Sequence, residues 1–227
     1  MLIFGDIDIK GDWQSANRHS AQIAPDPSTT SEAIIQVYAA RTWSWRGAFA
    51  VHTWFATKRH HSHRYRVYQV IGWRQYSHLP ILSVKYDIPD RYWFGQRPQL
   101  LVDLRGAEEI NQLIDKLEAA VYDYPYLDEY RTWPGPNSNT FTAFVARQVP
   151  QLRLDLPPTA IGKDFLPHGR VFAFSPSGSG GQFSLYGLFG VIVGVEEGLE
   201  FNVLTLSFGI DLLGLALRLP GIGRLGF

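Results

Sequence analysis

Cysteine is absent from this chain of 227 residues, and methionine occurs only once. The absence of thiols excludes disulfide bonds, thiolate-bound metals and a cysteine nucleophile. Charged residues make up only 19% of the chain, and 21 basic residues balance 21 acidic ones, so the formal net charge is zero. Because a neutral chain has no overall field that attracts a polyanion, we expect no nucleic-acid partner.

Long uninterrupted apolar runs are also missing. The first ten residues contain two aspartates, and the most apolar region, 183–220, is interrupted by Glu196, Glu197, Glu200 and Asp211. A helix that spans a bilayer needs about 20 predominantly apolar residues. We therefore expect neither a signal peptide nor a transmembrane helix in this sequence.

Apolar residues (45%) and aromatic residues (14%) are abundant, which predicts a folded chain with a sizeable core. The composition changes along the chain, because every tryptophan lies before residue 134 and glycine concentrates after residue 160. The segment 149–158 has proline near both ends and is interpreted as a connection. We predict an N-terminal extension over 1–30, an α+β core over 31–150, and a strand-rich region over 151–227 that packs on the core.

The core region opens with segments typical of strands. They are rich in β-branched and aromatic residues, and they cover 33–40, 48–57, 65–73 and 99–104. Apolar residues at helical spacing then predict one helix over 106–122 and a second over 138–147, which Pro150 stops. Strands followed by helices favour an α+β fold, with both helices packed against an antiparallel sheet.

The glycine-rich C-terminal region is predicted to form strands. The predicted segments are 171–174, 183–195, 199–208 and 211–219. Each glycine inside a helix would cost about 1 kcal/mol relative to alanine, so a helix over 183–195 is not expected.

The residues most suggestive of chemistry lie at the predicted start of the second helix. Asn137 and Ser138 there could cap the helix and satisfy its free N–H groups. Alternatively, Ser138 could be a nucleophile, because the positive helix end stabilises an oxyanion. A base is then required, and His52 is the one histidine inside an apolar strand, where it could equally be a buried packing residue.

A third group would orient the His52 ring. Tyr65, Tyr68 and Gln69 on the next strand are the polar options, and the sequence does not choose among them. His61 and His63 are spaced for a metal, but no third ligand is evident, so we predict no metal site and no cofactor.

These motifs resemble the circularly permuted papain-like peptidases, and most closely the PPPDE (deSUMOylating isopeptidase-like) family. The resemblance rests on His52-Thr53 in a strand and on Asn137-Ser138-Asn139-Thr140-Phe141 at a helix start. It implies that His52 is the base and that Ser138 occupies the position where the family has cysteine. Candidate binding residues are Asn137, Asn139, Trp54 and Tyr68.

The whole chain more specifically resembles an uncharacterised bacterial envelope family. The shared motifs lie at 12–13, 24–27, 47–54, 133–141, 156–164 and 220–226. This resemblance implies a serine at the nucleophile position, a location at the inner membrane facing the periplasm, and membrane association through an upstream segment that this chain lacks.

Three alternative functions are consistent with the sequence. The first is a serine-dependent hydrolase or acyltransferase that acts on an amide or ester in a peptide, cell-wall or lipid substrate. The second is an inactive papain-like binding module, because serine is far less acidic than cysteine. The third is a structural envelope protein that works through its apolar C-terminal region.

Overall fold

A five-stranded antiparallel sheet forms the centre of the core in the computed structural model, which describes residues 15–226. Its spatial order is β4-β3-β2-β1-β5. The strands are β1 (Ala33–Arg41), β2 (Val51–Lys58), β3 (Arg66–Val70), β4 (Leu82–Tyr86) and β5 (Gln99–Gly106). The predicted pairing of β2 with β3 is confirmed by the register Phe55 to Tyr68. The motif at 12–13 lies outside the described residues.

Both predicted helices are present and pack against one face of this sheet. They are α1 (Glu108–Tyr122) and α2 (Ser138–Gln148). The buried stripe of α1 includes Ile114 and Leu117, which share a core cluster with Val37 of β1 and Phe141 of α2. The α+β class expected from the sequence is therefore confirmed, with α1 beginning slightly later because β5 continues through Gly106.

Several predicted strands extend further than the observed strands, and one observed strand was not predicted. The residues before β2 and after β3 form short 3-10 turns, Ser44–Ala48 and Gly72–Ser77, instead of lengthening these strands. The strand β4 lies in a stretch with prolines on either side, which the sequence presents as a loop. It is an edge strand of five residues, and its alternation of apolar and polar residues, Leu-Ser-Val-Lys-Tyr, is brief.

The segment 149–158, interpreted as a connection, also fills the core. Leu152, Leu154 and Leu156 are buried in the same cluster as the sheet and both helices. Their alternating spacing directs three apolar side chains inward while the chain crosses towards the C-terminal region.

A second, seven-stranded sheet follows, in which each strand pairs with its neighbour in sequence. Its strands are β6 (Phe172–Phe174), β7 (Gly180–Leu185), β8 (Phe189–Gly194), β9 (Gly198–Val203), β10 (Leu206–Asp211), β11 (Ala216–Leu219) and β12 (Gly223–Gly226). The strand-rich C-terminal region is confirmed. Within residues 15–226, neither helix has the length and apolar character needed to cross a membrane.

The C-terminal strands are shorter and more numerous than the sequence indicates. Tyr186-Gly187 and Leu204-Thr205 have positive φ and divide two predicted strands into hairpins. Short hairpin turns with positive φ usually carry asparagine or glycine. Gly187 fits this preference, but tyrosine, leucine and threonine occupy the other three positions, so the sequence gives little sign of the turns.

Candidate functional site

Asn137 caps the N-terminus of α2. Its Oδ1 accepts hydrogen bonds from the backbone N–H groups of Asn139 (2.9 Å) and Thr140 (3.1 Å), and the Thr140 hydroxyl accepts one from the Asn137 backbone N–H. This reciprocal capping box fixes the helix start at Ser138. Gly162 packs so closely that a Cβ there would lie 2.2 Å from the Asn137 Nδ2.

Asn139 ties the helix to the sheet. Its Nδ2 donates to the carbonyl oxygens of Val51 (3.0 Å) and Ile161 (2.8 Å), and its Oδ1 accepts from the Thr53 hydroxyl (2.9 Å). The side chain is buried with all its hydrogen-bonding groups in use. Asn137 and Asn139, predicted as binding residues, therefore have structural partners within the fold.

Ser138 is the first residue of α2, at the position that the sequence predicts. It is only 4% exposed. Burial raises the pKa of the nearby Tyr130 phenol, and the hydroxyl and backbone N–H of Ser138 oppose part of this rise. The serine is thus placed at a helix N-terminus but covered by neighbouring groups.

His52 lies on the adjacent strand β2, with its side chain on the other face of the sheet. The next residue, Thr53, faces α2, where its hydroxyl oxygen lies 2.8 Å from the Thr142 hydroxyl oxygen, and successive residues of a strand point to opposite faces. The His52 ring stacks on Trp93 (3.7 Å between centroids), and its Nε2 lies 3.0 Å from the Gln69 Oε1. Of the three candidate orienting groups, Gln69 is the one that contacts the ring.

The two remaining predicted binding residues are also occupied. Trp54 is buried beside His52 and donates from Nε1 to the Pro89 carbonyl (2.7 Å). The Tyr68 hydroxyl lies on the helix side of the sheet and donates to Glu118 (2.6 Å). The predicted site residues therefore lie in two separate clusters. Among residues 15–226 no hydrogen bond joins His52 to Ser138, and base catalysis by His52 on Ser138 stays a prediction.

Burial lowers the pKa of His52 to about 4, and the Gln69 contact opposes this only partly. Unfolding restores a pKa near 6.5, so the unfolded chain binds one more proton between about pH 6.5 and 4. We expect this residue to reduce the free energy of unfolding by about 1.4 kcal/mol per pH unit as the pH falls through that window. Urea titrations at pH 7 and pH 5 measure the loss.

The matched comparison uses His52→Gln and His63→Gln, the second at an exposed position. The His52 variant should lose less stability between the two pH values than the wild type, while the His63 variant should behave as the wild type. An unchanged pH dependence in His52→Gln would contradict the assignment.

A cavity of about 530 Å³ lies between β5 and the C-terminal sheet, away from Ser138 and His52. Its charged lining residues are paired with one another: Arg218 with Asp155, Arg153 with Glu196, and Arg224 with Asp211. Paired groups leave no uncompensated charge for a ligand. Among residues 15–226, no group of three or more His, Cys, Asp or Glu could hold a metal ion.

The face of the C-terminal sheet that packs on the core is polar. Arg218 donates to Glu200 (2.9 Å), to both oxygens of Asp155 (2.6 and 2.7 Å) and to the Leu156 carbonyl (2.8 Å). Lys163 forms an ion pair with the other oxygen of Glu200. Arg218, Glu200 and Lys163 are each 1% exposed, so the sheet is attached to the core through buried ions.

The opposite face of this sheet is apolar, and no helix or strand within residues 15–226 covers it. Strand alternation and the register place only apolar residues and glycine at the outward positions of β6–β12 as described. The side chains of this apolar outer face are Phe172, Phe174, Phe183, Leu185, Phe189, Val191, Val193, Leu199, Phe201, Val203, Leu206, Phe208, Ile210, Leu217, Leu219 and Leu225.

The apolar outer face is one contiguous patch. Strand spacing and rise give it about 500 Å² in plan, and exposed apolar patches of this extent on soluble proteins are often interaction sites. The sequence indicates a two-sided sheet through the alternation of polar and apolar residues. Polar residues occupy every second position, at Gln182 and Ser184 and again at Glu200 and Asn202. The alternation does not reveal which face is covered.

Comparison with protein-family models matches residues 32–165 to a family described as a protein of unknown function (DUF3750). This match covers more than half of the chain, from the start of β1 to the segment that leads into the C-terminal sheet. Searches of curated proteins and of solved structures found no match. The expected kinship to an uncharacterised family is thereby supported, and the papain-like resemblance stays a prediction.

Proposed function

We propose that this chain, which belongs to the DUF3750 family of proteins of unknown function, is a binding module of the bacterial envelope. Its working surface is the apolar outer face of the C-terminal sheet. The observation that carries the proposal is the inverted polarity of this sheet, whose charged residues are buried against the core while its phenylalanines, leucines and valines face outward.

The inversion has a free-energy cost that a purely structural sheet would avoid. Burying ions is expensive even when they are paired, and replacing such pairs by apolar residues is often neutral or stabilising. Exposing large apolar side chains forgoes about 25 cal/mol for each Å² left in water. A sheet that accepts both costs is well suited to a second apolar body on its outer face.

Catalysis at Ser138 is not part of the proposal. An effective general base has a pKa near the working pH, whereas burial lowers the pKa of His52 to about 4. The His52 ring contacts Gln69 and Trp93, and Ser138 is only 4% exposed. If the core descends from a papain-like peptidase, this arrangement fits an inactive descendant that kept the fold.

The test replaces the centre of the outer face with threonine, which retains strand propensity. The triple variant Val193→Thr/Phe201→Thr/Phe208→Thr changes one exposed side chain on each of β8, β9 and β10. We expect the fluorescence of 1-anilinonaphthalene-8-sulfonate bound to the protein to fall several-fold. The melting temperature should stay within about 4 °C, because exposed substitutions cost little.

The control is Tyr86→Thr on β4, an exposed aromatic at the far edge of the other sheet. It should leave dye binding unchanged. Unfolding of the triple variant, or dye binding equal to that of the wild type, would refute a working surface on this face.

A further inference from the structure

We infer that the body covering the apolar outer face is the surface of a lipid bilayer. This inference rests on the proposed function and names its partner. Four features of the described residues carry it: the chemistry of the face, the turns at the ends of its strands, the aromatic residues beside it and the balance of charge.

The face offers no side-chain hydrogen bond to a protein partner. Protein interfaces form about one hydrogen bond per 100–200 Å² and have a polar rim. An area of about 500 Å² would carry several such groups, yet the outward positions of β6–β12 hold only apolar residues and glycine. Acyl chains form no hydrogen bonds, so this composition suits lipid better than a protein.

Exposed apolar residues continue beyond the face at both ends of the strands. The turn between β10 and β11 carries Leu212, Leu213 and Leu215, which are 69%, 75% and 69% exposed. At the opposite end, Tyr186 and Leu204 occupy turns and are also exposed. A second copy stacked face to face would leave these turns in water, whereas a fluid lipid surface can surround them.

Aromatic and basic residues of the core adjoin one end of the face. The Trp133 Nε1 donates to the Leu204 carbonyl (3.2 Å), and Phe49 lies against Gly221 in the turn between β11 and β12. Trp45 is exposed nearby in sequence, with the Arg46 guanidinium over its ring. Tryptophan and tyrosine are enriched at membrane interfaces, and basic residues reach from there towards water.

The charges fit shallow binding to neutral lipid. The net charge is zero, and the buried ions of the sheet are paired on the side away from the face. Binding strength should then follow buried apolar area with little electrostatic contribution, at a depth of about 5–10 Å. At this depth the side chains enter the acyl boundary while the strands keep their hydrogen bonds.

The experiment is flotation of the full chain with phosphatidylcholine vesicles at 0.15 M and 1 M salt. We expect the protein to float at both salt concentrations. The double variant Val193→Glu/Phe201→Glu should reduce the partition coefficient at least tenfold, because a charge must enter the acyl boundary. Tyr86→Glu, the matched control on β4, should float as the wild type does.

A second measurement locates the aromatic end. Brominated phosphatidylcholine should quench the tryptophan fluorescence of the wild type, and Trp133→Phe should reduce the quenched fraction. Flotation of Val193→Glu/Phe201→Glu equal to that of the wild type would overturn the inference.

Two other results separate this inference from the proposed function. In the first, the protein does not bind vesicles but forms a dimer in sedimentation equilibrium, and Val193→Glu/Phe201→Glu dissociates that dimer. This result overturns the lipid inference and supports the proposed binding surface. A monomer that neither floats nor binds the apolar dye through this face overturns both.

Discussion

Replacing Arg218 with methionine should lower the free energy of unfolding by about 3–5 kcal/mol, because removing one member of a buried ion pair leaves uncompensated charge behind. Arg218 is 1% exposed and contacts Asp155 and Glu200 at the same time. Methionine retains the unbranched apolar stem of the side chain and removes the guanidinium group, so the change removes the charge and its hydrogen bonds while keeping part of the packing. Urea unfolding at pH 7 measures the effect.

The matched control is Arg153→Met, which also removes an arginine that pairs with a carboxylate of the C-terminal region. Arg153 pairs with Glu196, and the Arg153 side chain is 73% exposed. Exposed pairs contribute about 0–1 kcal/mol, so the loss should be small. Equal effects of the two variants would show that the buried ions do not attach the sheet to the core.

Replacing Asn139 with aspartate should cost at least about 3 kcal/mol, because a buried carboxylate would face two carbonyl oxygens. The Asn139 Nδ2 is the donor to Val51 and Ile161, and aspartate has no donor at that position when ionised. The expected result is a large fall in melting temperature, measured by circular dichroism at pH 7.

Ser138→Ala provides the comparison within the same motif. Ser138 is buried but makes a single side-chain interaction, with Tyr130, so its loss should cost about 1 kcal/mol. A wild-type melting curve for Asn139→Asp would contradict the structural role assigned to Asn139. The pair therefore separates the residue that holds α2 against β2 from the residue predicted to be a nucleophile.

Much of the core was readable from the sequence. The strands around Val37 and Phe55 and the stripe of Ile114 and Leu117 on α1 follow local patterns, because β-branched alternation and helical spacing act over a few residues. The site was only partly readable. Ser138 begins α2 as predicted, but the position of His52 relative to α2 depends on strand phase, and a shift of one residue moves a side chain to the other face.

The sequence by itself determined that apolar and polar side chains of the C-terminal strands occupy opposite faces, since Phe201 and Val203 alternate with Glu200 and Asn202. Only the tertiary structure decided which face is covered. Alternation of period two is symmetric with respect to the two sides of a sheet, so it favours an apolar face towards the core by default. Here the ion pairs of Glu200 with Lys163 and Arg218, made across long separations in sequence, turn the polar face inward.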